Sequence, residues 1–251
     1  MSGHSHWATI KHKKGAIDAK RGKLWSKLSR AIIIAAKHGG GDPTMNLKLR
    51  YAIDKARSVS MPKDNIERAI KRGTGEMEGM TFEEITYEGF GPGGVAVMVD
   101  VLTDNRNRTN GEIKKIFERA NAKDGIPGSV AYLFDRKGFF AIDATKHSDE
   151  DALMGIALDA GAEDLKREGD VFEITCDPSS FSAVQEAIKK AGIETTEAEV
   201  KFLPKAQKEI DLETGKKVVR FVDALDDHDD VQNVYSNLNM TDEVMAELSK
   251  E

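Results

Sequence analysis

The residues best placed to do chemistry form a row of positive charges near the start of the chain. Residues 16–37 have the apolar periodicity of an amphipathic helix, and Gly39–Gly41 end it. A stripe like this can follow a phosphate backbone and release counterions. The alternative is a solvated helix face, which describes most charge runs, although no acidic residue interrupts this one. At about 100° per residue, five cations share one sector of about 100°: Lys20, Lys23, Lys27, Arg30 and Lys37.

A basic arm precedes this helix. Residues 2–15 show neither helical nor strand periodicity, which predicts an irregular segment. Within it, Trp7 lies among histidines and could stack on an unpaired base, as aromatic side chains do in single-stranded RNA recognition. Trp7 could equally fold back onto the helices as an apolar anchor, and both interpretations stay open. Three lysines add positive charge to the arm: Lys11, Lys13 and Lys14.

A third predicted helix also carries cations. Asp42-Pro43 predicts the start of a second helix, through about Ser58, and Met61-Pro62 begins a third that ends at Gly73. The third helix presents Arg68 and Arg72, which could contact phosphate or bases. A helix-turn-helix interpretation follows, but any small three-helix bundle has the same pattern, so the evidence for major-groove recognition is weak.

Two arginines lie between a predicted strand and a predicted helix. Arg106 and Arg108 belong to residues 103–110, a stretch rich in Asn and Thr. Cations and amides at a strand end suit a phosphate or RNA contact. The alternative is a helix N-cap with a structural salt bridge, and the sequence does not decide between the two.

Other kinds of site are poorly supported. Cys176 has no evident histidine partner, and the chain has no Ser-His-Asp signature, zinc spacing or Walker motif. The glycines of residues 91–94 predict a hairpin turn, not a nucleotide loop. Consecutive acids rarely converge on one ion, so we interpret Asp226–Asp230 as a solvated turn. We therefore expect a protein that is not an enzyme and uses neither a cofactor nor a metal ion.

Charge is sorted along the 251 residues. Residues 1–72 hold 17 Lys and Arg against 5 Asp and Glu, a net charge of +12, and the remainder carries −18, which gives −6 in total. Such asymmetry indicates contact between one part of the chain and an anionic partner. The single cysteine excludes an internal disulfide and is typical of a reducing compartment. No apolar run approaches the roughly 20 residues that span a bilayer. We expect a cytoplasmic protein with no membrane partner.

After residue 79 the pattern changes from helices to alternating strands and helices. Residues 136–204 follow the order β-α-β-β-α-β, which is the ferredoxin-like order. A helix at Leu212–Asp226 and a strand at Val231–Asn237 would complete a domain begun at Phe82, and a further strand is predicted at Val130–Phe134. The predicted fold is α+β and multidomain, with an N-terminal three-helix domain and two α+β domains, one ferredoxin-like and inserted in the other. The predicted domains are residues 1–78, 79–135 with 205–240, and 136–204.

Several long motifs resemble those of the YebC/PmpR family. They are spread over essentially the whole chain and are long enough to be specific. They occupy residues 3–14, 18–23, 65–73, 87–94, 103–109, 128–134 and 229–235.

The resemblance implies three domains and a non-enzymatic, DNA-binding regulator of transcription. It also implies an alternative, because a mitochondrial relative is described as a translational activator and bacterial members are linked to stalled ribosomes. On that alternative the chain is a ribosome-associated factor that binds ribosomal RNA. A third hypothesis is a protein-interaction module whose basic face meets an acidic partner. We expect a monomer, because no dimerisation element is visible.

Charge reversal in the cationic stripe tests whether the stripe binds nucleic acid. We expect charge reversal of Lys23, Lys27 and Arg30 to glutamate to abolish nucleic-acid binding and to leave the fold intact. The reason is that phosphate attraction is common to DNA and RNA.

Overall fold

A computed structural model describes residues 17–79 and 81–239, with side chains from Gly22 onward. This part of the chain forms seven α-helices and ten β-strands. It divides into two compact units, one made of residues 15–131 and 211–236 and the other built around residues 132–210.

Three helices open the first unit: α1 (Ile17–Gly39), α2 (Leu47–Ser58) and α3 (Lys63–Gly73). Their apolar faces enclose one small core, in which Ile32 and Leu49 are fully buried. The indole nitrogen of Trp25 donates to the carbonyl of Val59 at 3.3 Å and ties α1 to the end of α2. The predicted three-helix domain is confirmed.

The second helix begins later than its sequence predicts. Asp42 accepts hydrogen bonds from the amide and hydroxyl of Thr44, so it forms a local turn and does not cap a helix. Asn46 is the N-cap instead, accepting from the Leu49 amide at 3.1 Å. Its amide nitrogen also donates to the carbonyls of Ala35 and Gly40, at 2.7 and 2.8 Å. These contacts from α1 favour Asn46, because they satisfy a buried side chain that local preference could not select.

The first unit continues as a four-stranded antiparallel sheet. Its strands lie in the order β3-β1-β2-β9, so the last strand joins the sheet after a long excursion of the chain. Its elements are β1 (Glu83–Phe90), β2 (Ala96–Thr103), α4 (Arg106–Arg119), β3 (Lys123–Asp124), α7 (Leu212–Asp226) and β9 (Val231–Ser236).

Helices α4 and α7 supply the apolar side chains that pack with this sheet. Phe117 of α4 meets Phe221 of α7 edge to face, with ring centroids 4.9 Å apart. The predicted hairpin between β1 and β2 is present, and Gly93 and Gly94 adopt the positive φ angles of 68° and 70° that its turn requires. Val97 and Val99 of β2 are completely buried, as the central position of the strand requires.

A buried carboxylate organises the loop after β3. Glu88 on β1 is 7 % exposed, and its two oxygens accept from the amides of Gly128, Val130 and Ala131 at 2.7–2.9 Å. The predicted strand at Val130–Phe134 is therefore wrong. These amides bind a side chain from a distant strand, so they are not available to a strand ladder. The three amide bonds outweigh the effect of burial and hold the pKa of Glu88 below its usual value.

The second unit contains a ferredoxin-like domain. Its strand order is β5-β6-β4-β7, all antiparallel, as the predicted β-α-β-β-α-β sequence requires. Phe140 of the central strand stacks on Phe181 with ring centroids 4.6 Å apart. The elements are β4 (Phe134–Asp143), α5 (Glu150–Asp159), β5 (Ala162–Glu168), β6 (Val171–Cys176), α6 (Phe181–Lys190) and β7 (Thr195–Pro204).

Chain order makes this domain an insertion. Its elements fall between β3 and α7, both of which belong to the first unit, and a short parallel pair, β8 (Lys208–Glu209) with β10 (Leu238–Asn239), follows. The predicted fold class is confirmed. The residue limits predicted for the three domains stay a prediction.

The Glu88→Gln variant tests the carboxylate anchor. A glutamine would turn an NH2 group towards an amide N–H, so one hydrogen bond is lost and two donors face each other. We expect the free energy of unfolding to fall by about 1–3 kcal/mol. Urea denaturation measures it. Glu84→Gln, an exposed site on the same strand, is the matched control. Equal stability of the two variants would contradict the anchoring role.

Candidate nucleic-acid interface

The middle of the cationic stripe on α1 lies against residues 226–230, which we call the acidic segment. The ammonium of Lys27 donates to the carbonyl of Asp226 at 2.6 Å, and Lys23 donates to the carbonyl of Asp227. The Lys23 ammonium also lies 3.4 Å from an oxygen of Asp229. The side chains of Lys23 and Lys27 remain only 34 % and 13 % exposed. These two lysines are therefore engaged within the protein.

The acidic segment offers more than its carboxylates. Helix α7 ends at Asp226, and the last carbonyls of a helix lack partners within the helix and carry the negative end of its dipole. Lys23 and Lys27 donate to two carbonyls at this end. They act as a C-terminal cap supplied by α1, some 200 residues earlier in the chain. Helix-end geometry, and not charge alone, directs these lysines.

Arg30 completes the contact and reaches a buried carboxylate. Its guanidinium donates to the carbonyl of Asp229 and lies 3.1 Å from an oxygen of Asp230. It also lies 5.7 Å from the centre of the Phe82 ring, within the range of a cation–π interaction. The Arg30 side chain is 21 % exposed, and that of Asp230 only 3 %.

Asp230 connects four other side chains. Its second oxygen accepts from the hydroxyls of Thr103 and Thr109 at 3.1 and 2.6 Å, and from Arg108 at 2.6 Å. Its backbone carbonyl accepts from the Leu102 amide at 2.8 Å. The carboxylate therefore joins Arg30 of α1, the end of β2 and the first turn of α4.

Burial alone would raise the pKa of Asp230. Hydrogen bonds from Thr109 and Arg108, with the charges of Arg30 and Arg108, outweigh that effect and hold its pKa below the ordinary value. The group is therefore ionised at neutral pH, and the ionised form is the one that the fold stabilises.

His228 orders the acidic segment from within. Its Nδ1 accepts from the amide of Asp230 at 3.1 Å, which leaves the proton on Nε2. Nε2 lies 2.9 Å from a carboxylate oxygen of Glu112 on α4. Residues 227–230 form the turn that the sequence predicts, and Asp227 and Asp229 are exposed, but Asp230 is buried, so solvation describes only part of the segment. The segment is held on one side by α1 and on the other by α4, because its acids and carbonyls meet cations that are remote in sequence.

The two arginines predicted beside α4 have different surroundings. Arg108 forms ion pairs with Asp104 at 2.9 Å and Asp230 at 2.6 Å, which also hold its pKa above the usual value. Asn105 caps α4 by accepting from the Arg108 amide at 3.1 Å. These are the contacts that the structural alternative anticipated. Arg106 is exposed, so the structure leaves its guanidinium accessible.

The remaining predicted cations of the helical domain lie at its surface. Lys37 is exposed near the end of α1. Arg68 and Arg72 are exposed on α3 and line a cleft that also contacts α1. Residue type does not distinguish these cations from Lys23, Lys27 and Arg30. The one sequence signal that could have separated them is the charge complementarity between α1 and residues 226–230.

Five predicted contacts cannot be placed. Four lie outside the described residues, and the side chain of the fifth, Lys20, is not described either. These residues are Trp7, Lys11, Lys13, Lys14 and Lys20.

Other sites give no sign of chemistry in the described part of the chain. The Cys176 thiol is fully buried, and burial, together with the charges of Glu163 and Asp177, raises its pKa to about 11. The thiol is therefore protonated at neutral pH and is a poor nucleophile. Among residues 17–79 and 81–239, no group of His, Cys, Asp and Glu is arranged to hold a metal ion. Nor does any helix there have the length and apolarity needed to cross a membrane.

These features define a multidomain α+β protein in which a basic helical domain precedes a sheet domain with a ferredoxin-like insertion. The chain belongs to the TACO1/YebC family. Residues 5–76 match the TACO1/YebC N-terminal domain, and residues 82–238 match the second and third domains of the same family.

Relatives of similar length share about half of the sequence. A probable transcriptional regulatory protein of Desulforapulum autotrophicum is 53 % identical over 97 % of this chain and 98 % of its own length. Another such protein, from Dictyoglomus turgidum, is 51 % identical over 99 % of this chain and 100 % of its own length. The crystal structure of a conserved hypothetical protein from Aquifex aeolicus superposes with a TM-score of 0.84 at 45 % identity, covering 94 % of this chain and 98 % of that one.

The Asp230→Asn variant tests the buried carboxylate. The change removes the charge that Arg30 and Arg108 share, and we expect it to cost about 1–3 kcal/mol of unfolding free energy at pH 7. Because the pKa of Asp230 is lowered on folding, its contribution is complete above the ordinary value of about 3.9 and is lost as pH falls below it. The difference between wild type and variant should therefore shrink below about pH 4.

Chemical denaturation across pH, monitored by circular dichroism, measures this difference. Asp229→Asn is the control, because that side chain is 76 % exposed and an exposed pair contributes about 0–1 kcal/mol. A loss that does not change with pH would show that the Asp230 charge is not responsible.

Proposed function

We propose that this protein is a non-enzymatic, nucleic-acid-binding regulator of transcription that binds DNA through its basic N-terminal region. One observation carries the proposal: Arg68 and Arg72 are exposed on α3, and within the described residues neither forms an ion pair with a carboxylate. Cations without carboxylate partners on an ordered surface can neutralise phosphates, and the release of the counterions condensed on the nucleic acid then drives binding.

The charge distribution supports the same surface. The net charge of +12 in residues 1–72 is far from the −18 of the remainder, so an anionic polymer is attracted to one part of the chain and repelled by the rest. The contacts predicted from the sequence all belong to this proposal: Trp7, Lys11, Lys13, Lys14, Lys20, Lys23, Lys27, Arg30, Lys37, Arg68 and Arg72, with Arg106 and Arg108 beside α4. Lys23, Lys27, Arg30 and Arg108 also contact residues 226–230, so we expect them to contribute less to binding than the exposed cations.

The assignment to transcription is supported by the names of the relatives. Those with about half of their residues identical are named probable transcriptional regulatory proteins, and they match this chain over nearly their whole length. A regulator of this kind would act in the cytoplasm on DNA.

Binding at several salt concentrations tests the electrostatic part of the proposal. Fluorescence anisotropy would compare a labelled DNA duplex with a single-stranded RNA of the same length. If six or more phosphates are contacted, affinity for the duplex should fall by about 10³-fold or more between about 50 and 200 mM salt. We expect the duplex to bind at least as tightly as the RNA. Failure of both to bind at low salt would contradict nucleic-acid binding itself.

Ultraviolet crosslinking in living cells, followed by sequencing of the attached DNA and RNA, tests the assignment to transcription. We expect crosslinks at a limited set of promoters, with ribosomal RNA at background. A concentration of crosslinks in large-subunit ribosomal RNA would overturn the assignment and make the chain a translation factor.

A further inference from the structure

A cleft of about 220 Å³ lies between α1 and α3. Its floor is apolar, because Ile33 and Ala69 are buried in the helical core. Four polar side chains surround that floor. They are Ser29, Asn65, Arg68 and Arg72.

Local hydrogen bonds fix the orientation of one guanidinium. The Nε of Arg68 donates to the carbonyl of Asp64 at 3.2 Å, and one of its terminal nitrogens donates to the side-chain oxygen of Asn65. The other terminal N–H groups remain available at the cleft. An arginine held in this way loses less side-chain entropy when it binds an anion than a freely rotating one does.

The cleft differs from the cationic stripe in what its charges already contact. Lys27 and Arg30 lie against the end of α7 and the acidic segment, with 13 % and 21 % of their side chains exposed. A phosphate that approached them would have to displace carbonyls and carboxylates that occupy the same donors. Within the described residues, Arg68 and Arg72 form no ion pair, so a phosphate at the cleft displaces only solvent and counterions.

The size and chemistry of the cleft select its ligand. It is smaller than the roughly 300–1,000 Å³ of pockets that enclose small molecules, so part of a polymer suits it better than a free nucleotide. Two guanidiniums provide the planar donor pairs that match phosphate oxygens. Ser29 and Asn65 add neutral donors beside them.

We infer that this cleft is a backbone subsite that receives one phosphate of the bound nucleic acid between Arg68 and Arg72. The inference rests on the proposed function and specifies which surface carries it. It assigns the primary contact to the α1–α3 cleft and not to Lys23, Lys27 and Arg30. Contact through phosphate positions the ligand and does not depend on base sequence.

The decisive experiment measures how the affinity for a DNA duplex depends on salt concentration. It compares full-length double variants, each of which removes two positive charges. Arg68→Gln with Arg72→Gln should weaken binding by about tenfold or more and reduce the salt slope by about one, the value for one lost phosphate contact. Lys23→Gln with Lys27→Gln should weaken binding less, and should lower the melting temperature because the cap on α7 is lost. Lys189→Gln with Lys190→Gln, exposed on α6, controls for net charge and should leave binding unchanged.

Conservative replacement separates a built site from diffuse attraction. Arg68→Lys with Arg72→Lys keeps both charges but removes the planar donor pairs. We expect the affinity of this lysine variant to lie between that of wild type and that of the glutamine variant. Affinity equal to that of wild type would overturn the subsite, because attraction by net charge alone would then suffice.

The outcomes distinguish the inference from the proposed function. If the wild-type protein fails to bind duplex or RNA at low salt, the proposed function fails. If wild type binds, but the Lys23 and Lys27 variant loses as much affinity as the Arg68 and Arg72 variant or more, the inference fails and the function stands. Unchanged thermal melting of the arginine variants shows that they are folded.

Discussion

The carboxylate of Asp230 is the constraint on which the first unit depends most. It is 3 % exposed and accepts hydrogen bonds from three side chains while it faces Arg30. A buried charge is costly unless it is paired and fully hydrogen-bonded, so these partners cannot leave one at a time. Because they come from α1, β2 and α4, a single ionised group fixes three elements relative to one another.

The acidic segment extends this constraint along α1. Its carbonyls receive Lys23, Lys27 and Arg30 at the end of α7, where the helix dipole is most negative. The middle of the cationic stripe, which could follow a phosphate backbone, therefore already has hydrogen-bond acceptors within the protein. This changes the expectation that charge reversal of these three residues would leave the fold intact. Glutamates there would face the helix end and Asp230, and the repulsion would cost stability as well as any binding.

Local signals predicted most of the fold, and contacts remote in sequence account for the rest. The ferredoxin-like order and the limits of α7 follow from the periodicity of apolar residues within each segment. By contrast, both Asp42 and Asn46 are good N-caps, and only the contacts of Asn46 with α1 decide between them. The strand predicted at Val130–Phe134 is wrong for the same reason, because the amides of Gly128, Val130 and Ala131 bind Glu88, at least 40 residues earlier in the chain.

The same limit applies to the candidate site. Residue type alone identified both Lys27 and Arg68 as candidate contacts, and it gave them equal weight. Their difference arises from three-dimensional neighbours. A phosphate at Lys27 exchanges one set of acceptors for another, and so gains little free energy. At Arg68 it meets N–H groups that no carboxylate occupies, and the release of counterions from the nucleic acid favours binding. Affinity should therefore concentrate where the fold has left cations without carboxylate partners, and charge density along the sequence is a poor guide to that place.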